Sequence, residues 1–140
     1  MNSKKTIQFG MGALILATSM AAQAGAVVVS KNSPIAAMDG DEIKRIFLGR
    51  ESQVGGNTVT VIYQKDETNR DVFENKVLGK SGADLSAYWA KLIFTGRATA
   101  PEEVAGGDAG VRARLATSPS AIGYVTDAGV DSSVKVIFKY

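Results

Sequence analysis

The sequence predicts an α/β fold, a mostly parallel sheet with helices on both faces and an antiparallel edge, and three observations point to it. Val27-Val28-Val29 is a short continuous apolar run, the pattern of a strand buried on both faces. Between Gln64 and Thr68 the apolar spacing changes from the alternation and run of Val59, Val61, Ile62 and Tyr63 to the four-residue step of Phe73 and Val77. The chain then closes on two short hydrophobic segments, 121–125 and 134–138, joined by a polar turn holding Asp127, Gly129 and Asp131. Helices alternating with short strands imply a layered sheet, and the strand-to-strand ending implies the antiparallel edge.

Before the first strand, Lys4 and Lys5 precede an apolar stretch at 9–17, and Ala22-Gln23-Ala24 is a small-x-small cleavage pattern. This reads as a signal peptide over 1–24 and an exported domain over 25–140, periplasmic or secreted. The apolar stretch falls short of the roughly 20 residues a membrane span needs. Cleavage removes Lys4 and Lys5 and no acid, so the net charge of +2 falls to zero. A neutral chain lacks the basic excess of a nucleic-acid binder. The 140 residues contain no Cys and no His, which excludes thiol nucleophiles, imidazole bases and nitrogen or sulfur metal sites; no cofactor is expected. No nucleophile–base pair or separated acid pair stands out, so an enzyme is not expected.

After the first strand, Lys31-Asn32-Ser33-Pro34 makes a turn. Asp39 then precedes Ile43, Ile46 and Phe47, the i, i+3, i+4 spacing of a short amphipathic helix with Gly49 as its stop. Residues 53–57 with Gly55-Gly56 read as a loop into the strand at 59–63. The next helix begins near Thr68, where Thr68 and Asp71 also read as a capping box, and ends at Leu78-Gly79. Leu85, Tyr88, Trp89, Leu92 and Ile93 form a complete apolar stripe, which places Trp89 in the core. Residues 96–107 read as a glycine-rich loop, with Glu102-Glu103 solvated or in a first helical turn, and Asp108 as the cap of a helix carrying Val111 and Leu115.

The turn from strand to helix at 64–70 is the candidate site. The first N–H groups of a helix lack internal partners and carry partial positive charge, so an anion can be held there. In a sheet of this class ligands sit at the carboxyl ends of strands.

Four ordered motifs carry a resemblance: Asp-Glu-Ile-Lys-Arg-Ile-Phe-Leu-Gly at 41–49; Val-Thr-Val-Ile-Tyr-Gln at 59–64 with Thr-Asn-Arg-Asp-Val-Phe at 68–73; Tyr88-Trp89 with Ile-Phe-Thr-Gly at 93–96; and Ser-Pro-Ser-Ala-Ile-Gly-Tyr-Val at 118–125. Together they resemble the phosphate-binding proteins of ABC transporters, and more closely short single-lobe relatives of these. The resemblance implies one lobe of a type II periplasmic binding protein. It also implies a solute-binding function for phosphate or a similar oxyanion, with an ABC transporter permease or envelope protein as partner. The site residues it implies are Gln64, Lys65, Glu67, Thr68, Asn69 and Arg70. The family's Gly-Ser-Gly-Thr turn is replaced by Asp66-Glu67-Thr68-Asn69, and Tyr63 or Gln64 stands where the larger proteins carry an arginine. Two carboxylates at an anion site suit a protonated oxyanion, whose proton needs an acceptor. The alternative is an envelope interaction protein that retains the lobe as a ligand-free scaffold, including a homodimer in which each Arg70 faces the other copy's Glu67.

Overall fold

A computed structural model describes residues 24–140; residues 1–23 of the signal peptide expected over 1–24 lie outside the described residues. Strands β1 (Gly25–Ser30), β4 (Thr60–Gln64), β5 (Glu102–Val104), β6 (Ala121–Thr126) and β7 (Val134–Lys139) form one sheet in the order β5-β4-β6-β1-β7. β4 runs parallel to β5 and to β6, while β1 is antiparallel to both β6 and β7. Four strands therefore point one way and β1 alone is reversed. The expected antiparallel edge is present, but β6 and β7 do not pair directly. β1 lies between them because its residues are buried on both faces and its backbone needs a ladder on each side.

The alternation along β1 sorts its side chains into two cores. Val27 and Val29 pack with Ile43, Phe47, Phe73, Leu85 and Trp89 from helices α1 (Gly40–Phe47), α2 (Glu67–Phe73) and α3 (Gly82–Phe94). Ala26 and Val28 pack with Val111 and Leu115 of α4 (Gly107–Ala116) on the opposite face. Trp89 is a core residue, as its spacing predicts, and Tyr124 is fully buried. An aromatic group of Phe47, Tyr63, Phe73 and Tyr124 joins the helices to the sheet, with Phe73 stacked on Tyr124 at 4.0 Å between ring centroids.

α1 starts as expected. Asp39 accepts from the Glu42 N–H, the Glu42 carboxylate accepts in return from the Asp39 N–H, and Gly49 follows with φ +70°. Four other expectations are corrected. The 53–57 segment is a hairpin, β2 (Gln53–Val54) and β3 (Asn57–Thr58), because Gly55 and Gly56 both take the positive φ that a tight two-residue turn requires. Residues 102–104 are the edge strand β5 rather than loop or helix: pairing with β4 overrides the weak strand preference of two glutamates, and charges suit an edge. α2 is capped by Asp66, whose carboxylate accepts from the Asn69 N–H, rather than by Thr68. α4 begins after Gly106, and Asp108 lies inside its first turn. After α2 the chain continues through one π turn, Glu74–Leu78, and stops at Gly79 with φ +66°.

Candidate functional site

The carboxyl ends of β4, β5 and β6 converge with the starts of α2 and α4. β4 reaches this end as a buried strand, so Gln64, at its tip, is fully buried and must satisfy its polar atoms within the protein. Its Nε2 donates to the Tyr124 carbonyl at 2.7 Å and to Asp108 Oδ1 at 3.1 Å, and its Oε1 accepts from Asn69 Nδ2 at 3.1 Å. Asp108 also accepts from the Thr126 N–H at 3.1 Å and from Thr126 Oγ1 at 2.5 Å. Gln64, Asn69, Asp108 and Thr126 thus form one polar cluster across four elements, β4, α2, α4 and β6.

Arg70 sits beside that cluster. Its Nε donates to Glu74 Oε1 at 2.5 Å, its Nη1 donates to Glu103 Oε1 at 2.9 Å, and its guanidinium carbon lies 5.3 Å from the centroid of the Tyr63 ring. Glu74 is 2% exposed, Arg70 28% and Glu103 44%. Desolvation opposes the charge on Arg70, and the bonds to Glu74 and Glu103 outweigh it, so its pKa moves upward. Burial pushes the phenols of Tyr63 and Tyr124 well above their ordinary value of 10, so both are neutral across the physiological range.

Of the six residues expected at the site, Gln64 and Asn69 meet in the polar cluster and Arg70 lies in the adjoining ion-pair group. Lys65, Glu67 and Thr68 are exposed, and among the described residues no hydrogen bond or ion pair engages their side chains. The Lys65 N–H is used by the sheet, donating to the Val104 carbonyl at 2.9 Å. Four residues of the site were not anticipated: Glu74 as a buried partner, and Glu103, Asp108 and Thr126. The i, i+4 spacing of Arg70 and Glu74 signalled their pairing, and Gly-Gly-Asp at a helix start after a strand signalled Asp108. Glu103 and Thr126 come from other strands, and no local pattern announces them.

The arrangement is acidic: Arg70 holds Glu74 and Glu103, Asp108 sits in the adjoining polar cluster, and Asp66 and Glu67 stand at the start of α2. Among the described residues no group of three or more acidic, His or Cys side chains could hold a metal ion, and no helix is long and apolar enough to cross a membrane.

A mixed sheet with three helices on one face, one on the other, and a polar cluster at its carboxyl ends defines an α/β lobe of the kind found in the substrate-binding proteins of phosphate ABC transporters. Solved structures that share it include three. One, assigned as a phosphate ABC transporter substrate-binding protein and holding phosphate, is from Clostridium perfringens; it matches with TM-score 0.63 and 22% identity over 83% of this chain and 45% of its own. An ABC-type phosphate transport receptor from Vibrio cholerae matches with TM-score 0.63 and 21% identity, over 83% and 47%. PstS from Borrelia burgdorferi matches with TM-score 0.57 and 12% identity, over 82% and 47%. This chain therefore spans less than half the length of each, and the likeness is one of fold. No family model and no curated protein sequence matches the chain.

Proposed function

We propose that this protein is an exported solute-binding lobe that holds phosphate or a similar small oxyanion at the turn from β4 to α2 and serves an ABC transporter at the outer face of the membrane. The observation that carries this reading is Arg70, a part-exposed guanidinium on α2 just past the carboxyl end of β4, in a fold whose solved examples include one with bound phosphate. Thr68 and Asn69 supply neutral donors beside it, Lys65 a second charge, and Gln64 holds Asn69 in place. Glu67 accepts the proton of a hydrogen phosphate. Because Glu103 already occupies Arg70 Nη1, the anion competes with a carboxylate, and affinity is weak, on the order of millimolar.

Calorimetric titration with phosphate tests this. Glu103→Gln, which removes the exposed competitor and leaves the buried Arg70–Glu74 pair intact, tightens binding by about threefold to tenfold. Absence of heat and of amide shifts at residues 64–70, in both wild type and Glu103→Gln, sinks the proposal.

A second reading has its own support. Arg70 Nε and Nη1 are both held by carboxylates, and the start of α2 is capped by Asp66, so the lobe satisfies these groups without a ligand. In that case the protein is an envelope scaffold whose acidic end meets a partner or a second copy. Neither reading makes it an enzyme.

A further inference from the structure

A separate groove lies at the amino end of β4, and its charge balance differs from that of the site above. It has a volume of about 850 Å3 and is walled by the end of α1, the residues leading into β4, and the 96–102 connection. Ile46, Val61 and Trp89 supply apolar surface. The Trp89 ring lies against Gly49, where a Cβ would approach ring atom Cη2 to 2.8 Å, so glycine at the end of α1 brings the indole to the groove wall. Trp89 Nε1 is buried, and among the described residues it has no hydrogen-bond partner.

Two acids and two cations also line the groove. Glu51 pairs with Arg45 at 3.4 Å, and Glu102 is held by Arg114 through two bonds of 2.6 and 3.0 Å. Both acids are thus paired with arginines that do not line the groove. Arg50 and Arg97 are exposed, and among the described residues no ion pair or side-chain hydrogen bond engages either. The groove thus presents two arginines outside any ion pair among the described residues, beside the apolar surface of Ile46, Val61 and Trp89.

We propose that this groove is a ligand site for a small organic dianion, a dicarboxylate with an aromatic or branched aliphatic body. Each guanidinium presents a planar fork to a carboxylate, and the apolar body covers Trp89 and Val61. The volume falls within the roughly 300–1,000 Å3 typical of small-molecule pockets. Inorganic phosphate would meet a guanidinium and leave the apolar wall wet. The site does not depend on oxyanion binding at residues 64–70, which lie at the opposite end of β4.

The test is an NMR titration of the purified protein with phthalate, compared with succinate, benzoate and inorganic phosphate. Phthalate should produce saturable shifts at Arg50, Arg97 and neighbouring groove residues, and bind more tightly than succinate or benzoate. Arg50→Ala and Arg97→Ala should each weaken it about tenfold, with Arg97→Lys intermediate because charge survives without the fork. Both arginines are exposed, and amide spectra of the free variants confirm that the fold is retained. Shifts absent at about 20 mM phthalate, spread over the surface, centred on 64–70, or unchanged in the alanine variants overturn the proposal. Phosphate shifts confined to 64–70 bear on the first site alone.

Discussion

Arg70 Nε and Glu74 Oε1 lie 2.5 Å apart across one helical turn, and the glutamate is 2% exposed. This pair is more than the surface contact an i, i+4 spacing suggests, because the carboxylate has left water and the arginine is its counter-charge. Arg70→Ala should destabilise the fold by about 2 kcal/mol, below the range for a fully buried pair because Arg70 is part-exposed. Arg70→Met combined with Glu74→Met should recover most of the loss, since it removes both charges at similar volume. Urea unfolding measures both. A loss under about 0.5 kcal/mol for Arg70→Ala would mean that water reaches Glu74. Arg70→Ala is accordingly a poor probe of ligand binding, and Glu103→Gln is the cleaner one.

Asp108 holds Thr126 and Gln64, and so ties the start of α4 to the ends of β6 and β4. Asp108→Ala leaves the Thr126 N–H and one proton of the buried Gln64 amide without this acceptor. The expected cost is about 1–3 kcal/mol, with amide exchange accelerating first at Thr126. Unchanged exchange there would show that the cluster does not hold the strand end.

What could be read from the sequence follows the range of the interactions concerned. Val27 to Val29, the Asp39 cap with Gly49, and the Trp89 stripe were legible because periodicity and capping act within one element. The place of β1 between β6 and β7 was not, since pairing partners are chosen over a hundred residues of chain. β5 was missed for the same reason: Glu102-Glu103-Val104 becomes a strand only because β4 offers it a ladder. At the candidate site, the nearness of Gln64, Asn69 and Arg70 was legible from one local turn. The acids that determine their chemistry, Glu103 and Asp108, arrive from β5 and α4.

Gly110 tests how tightly α4 is seated. A Cβ there would run into the Ala105 carbonyl oxygen, which is backbone and cannot swing aside as a flexible side chain can. Gly110→Ala should therefore destabilise by at least about 2 kcal/mol despite the better helix propensity of alanine, a reversal that thermal melting would detect. A neutral or stabilising effect would mean that the 105–107 turn adjusts freely.

The last prediction concerns Glu102, where the edge strand meets α4. Two bonds from the Arg114 guanidinium hold the Glu102 carboxyl below its ordinary value of 4.5. A carboxyl whose folded pKa is depressed adds stability that is fully present above the unfolded pKa and is lost as pH falls through the folded one. Wild type should thus melt higher than Glu102→Gln at about pH 7, and the gap should close as the solution is taken toward about pH 3. Both partners are part-exposed, so the gap is small and should also shrink in about 1 M salt, where the screening length falls to roughly 3 Å. A gap of the same size at both pH values and both salt concentrations would mean that Glu102 acts through packing or neutral hydrogen bonding. The ionic tie between β5 and α4 would then be set aside. It would also remove the reason for treating Glu102 as already paired in the groove, leaving Arg50 and Arg97 opposed by one carboxylate more than the geometry assigns them.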